Sequence, residues 1–493
     1  MRVVSVDISN VKGRLDRYFS RCVGAGRAAE VMRHVAYDQL RKMQKECPFE
    51  YIRFHGLFHD EMAVVTRNED GKLQFNFQYV DLLFDSLLEV NIRPVVELGL
   101  MPETMASKDA HVFWWKMNIS PAKDIGEWYA LVEALVRHVT HRYGEEEIKK
   151  WYFEVWNEPN LDHFFSESHD VNAYLALYEA AARAVKSVCA DYKVGGPSSA
   201  GFYWIDEMIA AQKERQIPLD FLSSHQYNVD CALDLSGKKL LQLRPKERFW
   251  GSVRKWGARC HEAGLPFLLT EWSASSGQRD PIHDSYFEAP FILEQVKRCE
   301  GAVEMFSHWT YTDIFEEMTP PYTLFHGGFG LTTVRSIPKP SYYAYRFLAA
   351  LGDTELCCED EACYACRSEN EMQVLLWNCV NPEQGDMSNQ EYFGRDLPAK
   401  ALEDAEVVLS GLEAGKEYAI TVETLGYRMG DCYTAYLDMG SPAEPTREET
   451  AELCRKGEPK KTALRLCADA EGKLTLRLPQ SENQADLVRV SLA

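Results

Sequence analysis

The sequence has no uninterrupted apolar run approaching the roughly 20 residues needed to cross a bilayer. Its opening, Met1-Arg2-Val3-Val4-Ser5-Val6-Asp7-Ile8, is too short and meets charge too soon to read as a secretory leader. A cytoplasmic protein with no membrane partner is the expectation. Positive charge is also scarce. Lys and Arg total 54 against 75 Asp and Glu, a formal net charge of −21, which argues against nucleic acid as a partner because phosphates demand a basic surface. No dinucleotide fingerprint is present, since Gly24-Ala25-Gly26 runs into Arg27 and lacks the third glycine. P-loop, H-E-x-x-H and nucleophile-elbow patterns are missing too, so no cofactor is expected.

Cysteine is not scarce: there are 14. In a large chain of a reducing compartment they read as free thiols. Cys363-Tyr364-Ala365-Cys366, with Cys357 and Cys358 just before, invites a zinc reading. The segment reads as strand, however, and residues i and i+3 of a strand point to opposite faces. No metal site is expected there or elsewhere.

What is there is 493 residues, 46% of them hydrophobic, enough for a barrel of about 250–350 residues and a smaller unit. Strand-like runs occur at Tyr18–Val23, Tyr51–His55, Arg93–Leu98, Trp151–Glu158, Lys193–Gly196, Phe221–His225, Pro266–Glu271 and Val303–Trp309. Helical segments alternate with them, near 27–46, 77–91, 124–143, 171–190, 203–215, 247–263, 285–300 and 340–351. In the third, Trp128, Leu131, Val132, Leu135, Val136 and Val139 form one apolar face, Asp124 with Glu127 fits a capping box, and Gly144 fits the stop. This alternation predicts an α/β fold, a (β/α)8 TIM barrel over residues 16–352. After about residue 352 short alternating runs (Gln373–Cys379, Glu406–Leu409, Glu417–Val422, Lys473–Leu478) predict a β-sandwich-like accessory domain over 353–493, interrupted by a charged helix from Pro442 to Lys456.

The chemistry gathers at two strand ends. Trp151-Tyr152-Phe153-Glu154-Val155-Trp156-Asn157-Glu158-Pro159-Asn160 begins as a strand and must turn at Pro159, leaving Glu158 at its tip. Pro266-Phe267-Leu268-Leu269-Thr270-Glu271-Trp272 ends likewise in Glu271. Two carboxyl groups held across one barrel rim suit a general acid/base and a nucleophile of glycoside hydrolysis. Glu154, four residues before Glu158 on the same side of the strand, lies deeper and reads as a structural group of the barrel interior. His55 and His225 end strands on the same rim. Tyr227 and Trp309 offer the aromatic platform with polar edges that a sugar face needs.

The Trp156-Asn157-Glu158-Pro159-Asn160 motif is similar to that of glycoside hydrolase family 39, the β-xylosidases. So, in family order, are Tyr51–Leu57, Val96–Pro102, Gly195-Gly196-Pro197, Ser307–Glu317 and Phe325-His326-Gly327-Gly328-Phe329-Gly330. The resemblance implies that residues 1–15 add a strand to the accessory domain. It implies Glu158 as acid/base and Glu271 as nucleophile, with Asn157 on the sugar 2-hydroxyl. His55, Asn157, His225, Tyr227, Trp309 and Glu316 would line the sugar pocket. One departure is Ser276, where the family tends to carry a tyrosine near the sugar. The expected activity is a retaining exo-glycosidase that removes terminal β-D-xylosyl units from xylooligosaccharides or small xylosides, with a homo-oligomer possible. Alternatives are another glycone (arabinopyranosyl, fucosyl, glucosyl or, since the family includes α-L-iduronidases, a uronic acid) and, from a different class, a catalytically silent sugar-binding protein.

Overall fold

The computed structural model describes residues 1–233 and 239–492. Eight parallel strands close into a barrel in chain order: Cys22–Arg27, Tyr51–His55, Arg93–Leu98, Tyr152–Val155, Lys193–Ala200, Phe221–Tyr227, Phe267–Ser273 and Met305–His308. The last meets the first where His308 pairs with Val23. Helices follow the strands, among them His34–Glu46, Ile125–Tyr143, Val171–Val188 and Glu288–Arg298, so the predicted (β/α)8 barrel is the observed one. In Ile125–Tyr143 the six residues of the predicted apolar face are all buried. Asp124 caps this helix by accepting from the Gly126 N–H at 2.7 Å, and Gly144 ends it at φ 86°. The predicted capping partner Glu127 is instead drawn to Arg67, 2.7 Å away.

Six of the eight barrel strands differ from their predicted bounds, and the first and fourth do so for identifiable reasons. Tyr18–Ser20 is a short 3-10 turn, and the first strand begins only at Cys22. Its glycines weaken the strand signal, yet packing requires them: a Cβ on Gly24 would run into the Trp309 ring, and one on Gly26 into the Glu30 carboxylate. The fourth strand stops at Val155, because Trp156 and Glu158 take positive φ values of 73° and 41°. This left-handed backbone is costly for bulky residues and is held by a backbone bond from Glu158 N–H to Ser198 C=O at 2.9 Å.

The rest of the chain forms two stacked sheets. Arg2–Asp7, Ala401–Ser410 and Leu474–Ser481 make one of three strands, with Arg2–Asp7 at its edge, parallel to Ala401–Ser410. Seven strands make the other, in the order Val11–Arg14, Thr354–Leu356, Cys363–Arg367, Glu371–Trp377, Ala485–Ser491, Glu417–Leu425, Lys460–Cys467. Along Glu371–Trp377, Met372, Val374 and Leu376 face the three-stranded sheet, whereas Leu375 and Trp377 join the barrel core. Both faces are buried, so the strand is almost continuously apolar rather than alternating. The charged helix is Arg447–Gly457, capped by Thr446, and its Leu453 packs with Phe325 and Ile337 of the loops after the last barrel strand. Among the described residues no helix is long and apolar enough to span a membrane.

Candidate active site

Alternation along Tyr51–His55 sends Arg53 and His55 to the same side, into the barrel. Arg53 is fully buried and reaches five groups. Its Nη1 donates to Glu271 Oε1 at 2.7 Å and its Nε donates to Glu154. Its Nη2 lies 3.0 Å from Asn157 Oδ1, 2.9 Å from Ser198 Oγ and 3.0 Å from Glu97 Oε2. The sequence reading missed this residue, although its place two before His55 was the signal. Glu154 also accepts from the Thr270 hydroxyl at 2.9 Å, deep in the barrel interior.

Glu158 and Glu271 come together at the C-terminal ends of their strands, 7% and 4% exposed. His225 bridges them. Its Nδ1 lies 2.8 Å from Glu158 Oε1 and 3.5 Å from Glu271 Oε2, and one oxygen of each carboxyl group lies within 4.8 Å of the other. Tyr227 donates its hydroxyl to Glu271 Oε2 at 2.7 Å. Asn157 spends its amide oxygen on Arg53, which leaves its NH2 as the group it presents. His55 is oriented by Glu97 at Nδ1, 2.7 Å away, and turns Nε2 towards Glu271 at 3.7 Å. Trp309 packs on His55, ring centroids 4.9 Å apart, with the Arg53 guanidinium 5.7 Å from its own.

The two carboxyl groups differ in surroundings. Burial pushes Glu158 well above the usual carboxylate range, and the charge on Glu271 pushes it further. Burial raises Glu271 too, but Arg53, His55 and the Tyr227 hydroxyl all oppose the rise. Burial, Arg53 and His55 keep His225 neutral. Ser198 Oγ accepts from Arg53, so its own hydrogen is free for His225 Nε2, 3.0 Å away. That assigns the imidazole proton to Nδ1, facing Glu158.

Glu316, expected in the pocket, is held by two arginines. Glu316 accepts from Arg33 at 2.8 Å and lies 3.6 Å from Arg27. Burial would raise it, but the Arg33 hydrogen bonds and the two guanidinium charges hold it below its ordinary value. Its neighbour Glu317, which the sequence reading passed over, lies 3.8 Å from His55 Nε2 and is raised by burial, Glu271 and Glu158. Ser276, three residues beyond the Glu271 strand, is exposed.

Comparison with known proteins bears on this geometry. The family model described as glycosyl hydrolases family 39 matches residues 2–475. A β-xylosidase of Caldicellulosiruptor saccharolyticus is 37% identical over 465 residues, covering 93% of this chain and 92% of that protein. The crystal structure of a monomeric β-xylosidase from Caulobacter crescentus CB15 superposes with a TM-score of 0.94 at 37% identity, covering 100% of this chain and 99% of that one. A GH39 enzyme from Xanthomonas axonopodis pv. citri gives 0.95 at 35% identity, with coverage of 100% and 97%. A barrel with paired carboxyl groups on its rim, matched from end to end by these relatives, identifies the chain as a member of glycosyl hydrolases family 39.

Proposed function

We propose that the protein is a retaining exo-β-xylosidase in which Glu158 is the acid/base and Glu271 the nucleophile. The observation that carries this reading is the pair of buried carboxyl groups, with oxygens within 4.8 Å of each other and bridged by a neutral histidine. That spacing suits direct attack on an anomeric carbon, whereas an inverting enzyme separates its carboxyl groups by roughly 6.5–9.5 Å to admit a water.

Glu158 starts protonated and donates to the glycosidic oxygen as the bond to the aglycone breaks. Glu271, ionised with the help of Arg53, attacks the anomeric carbon from the opposite face and forms a glycosyl ester. Esterification removes the Glu271 charge, so the acidity of Glu158 rises and it takes a proton from the incoming water. Two displacements restore the starting anomer. The Asn157 NH2 is placed to bind the 2-hydroxyl, a contact that strengthens in the transition state. The low exposure of both carboxyl groups fits a closed pocket for one terminal sugar. A uronic acid fits it poorly, because Glu97, Glu154 and Glu271 already engage the one guanidinium and Glu158 and Glu317 add further acid beside it.

The test is hydrolysis of a panel of aryl glycosides, with the first-released anomer followed by NMR. Fast release of β-xylose from the β-xyloside is the expected result. Release of α-xylose would refute the double displacement, and preference for another glycone would refute the specificity.

A further inference from the structure

The cysteines around the C-x-x-C stretch form a constellation of their own. Cys363 faces the core between the two accessory sheets and Cys366 the barrel core, so the C-x-x-C pair is divided between the two faces of its strand. Cys363 instead faces Cys358, from the loop after Thr354–Leu356: carried three residues past the Glu355–Cys366 pair, the antiparallel register of this hairpin sets Cys358 opposite Cys363. Among the described residues neither belongs to a three-ligand metal group. Both line a cleft of about 1020 Å³ beside Lys297, Arg298 and Gly301. Those residues lie just before the last barrel strand, at the end of the barrel opposite Glu271.

Charge in this cleft favours one thiol over the other. The hydrogen bond from Cys363 outweighs burial and lowers Cys358 to about 7, with help from the Asp360 backbone N–H and Lys297. Cys363 is pushed far up by the same contact and by burial. The Arg2 guanidinium, fixed bidentately on Asp360 at 2.7 Å, adds its charge to both. Cys358 is half-buried and Cys363 only 1% exposed, so a reagent entering the cleft meets Cys358 first.

We propose that Cys358 and Cys363 are a peroxidatic and a resolving thiol, a modification site that a hydroperoxide converts to a disulfide. The Cys358 thiolate attacks the outer peroxide oxygen, and the O–O bond breaks. The departing alkoxide takes up a proton to become an alcohol (water, for hydrogen peroxide), leaving Cys358 as a sulfenic acid. The Cys363 sulfur then attacks the sulfenic sulfur, and the hydroxyl group leaves with the Cys363 proton as water. Two thiols lose two electrons and the hydroperoxide gains them. The product staples the loop that receives Arg2, and with it the N-terminal strand.

An ordinary exposed thiol is only a few per cent ionised at pH 7, and Cys358 is about half ionised. Its lower intrinsic nucleophilicity offsets part of this advantage, so Cys358 should react about threefold faster. The experiment titrates the full-length protein with hydrogen peroxide and maps products after cleavage at Glu359 and Glu361, which separates the two cysteines unless they are bridged. A linked peptide short of two hydrogens, formed ahead of oxidation at the exposed Cys357 and Cys467, is expected. Cys363→Ser should halt at a sulfenic acid that dimedone traps on Cys358, and Cys358→Ser should abolish both products. Aryl xyloside hydrolysis should be unchanged throughout, so a wrong catalytic reading leaves this result untouched. Oxidation first at Cys357 or Cys467, or dimedone on any cysteine but Cys358, would overturn the assignment.

Discussion

Of the buried charge clusters among the described residues of the barrel half, the one around Arg53 and the one around Lys339 are finished differently. Lys339 is fully buried between Asp284 at 2.6 Å and Asp313 at 2.8 Å, and donates to the Gly328 carbonyl at 2.8 Å. Each aspartate also receives a backbone N–H, from Gly327 at 2.7 Å and from Gly330 at 2.8 Å. Burial disfavours the ammonium, yet the two carboxylates overcome it and hold Lys339 charged. Around Arg53 more carboxyl groups meet one cation, and among the described residues the donors facing Glu158 and Glu271 are side chains, not backbone N–H groups. A buried carboxylate completed by backbone groups is inert. One left short of donors must share charge or hold a proton, and proton transfer needs that state.

The contrast breaks most visibly at Glu271. Glu271→Ala should lower kcat on the order of 10⁴-fold while the thermal midpoint stays near that of the parent. Added azide or formate should restore turnover and give product of inverted configuration, read by NMR. Retained configuration in the rescued reaction would move the nucleophile elsewhere. On the other cluster the effect should appear in stability and spare the chemistry. Lys339→Met leaves two buried carboxylates without their cation, at a cost of about 3–5 kcal/mol in urea unfolding. Surviving folded protein should keep its KM. A variant with normal stability but lost activity would place Lys339 in the reaction.

Arg53 belongs to both descriptions, which makes it the sharper probe. Arg53→Lys keeps one positive charge but cannot span Glu271, Glu154, Glu97, Asn157 and Ser198 together. Glu271 must be ionised to attack, and Arg53 is what opposes the upward push of burial on it. Weakening that contact raises the Glu271 pKa, so the acid limb of kcat/KM should move to higher pH as kcat falls about 10²-fold. A fall in rate with the acid limb in place would mean that Arg53 only holds the barrel together.

Much of this was legible in the chain. Amphipathic spacing showed the alternation of strands and helices, and Pro159 signalled a turn after Glu158, although the strand itself stops earlier, at Val155. The stretch Phe325–Gly330 carries a family likeness, and the structure supplies its physical reason. Cβ atoms on Gly327, Gly328 and Gly330 would collide with Asp280 or Asp313, so this loop closes over the Lys339 cluster only because they are glycines. What stayed hidden depends on distant partners. Glu316 and Glu317 are adjacent acids, and only Arg33 and Arg27, nearly 300 residues earlier, decide which of them is held in ion pairs. Arg53 resembles any charged residue in a strand until the three carboxylates that surround it are folded into place.

The smallest expected effect tests the finest distinction between the two clusters, the direction of a single hydrogen bond. Ser198 donates to His225 Nε2, which keeps the imidazole hydrogen on Nδ1 and aimed at Glu158 Oε1. A donor facing Glu158 favours its ionised form and moderates the rise that burial and Glu271 impose. In Ser198→Ala the hydrogen is free to move to Nε2, and Nδ1 then accepts from protonated Glu158, favouring the neutral acid. The alkaline limb of kcat/KM should therefore shift to higher pH, while the maximal rate falls about fivefold, the equivalent of one hydrogen bond of about 1 kcal/mol. A shift to lower pH, or a slower enzyme with an unmoved alkaline limb, would show that Ser198 does not set the tautomer and that His225 meets Glu158 as an acceptor already.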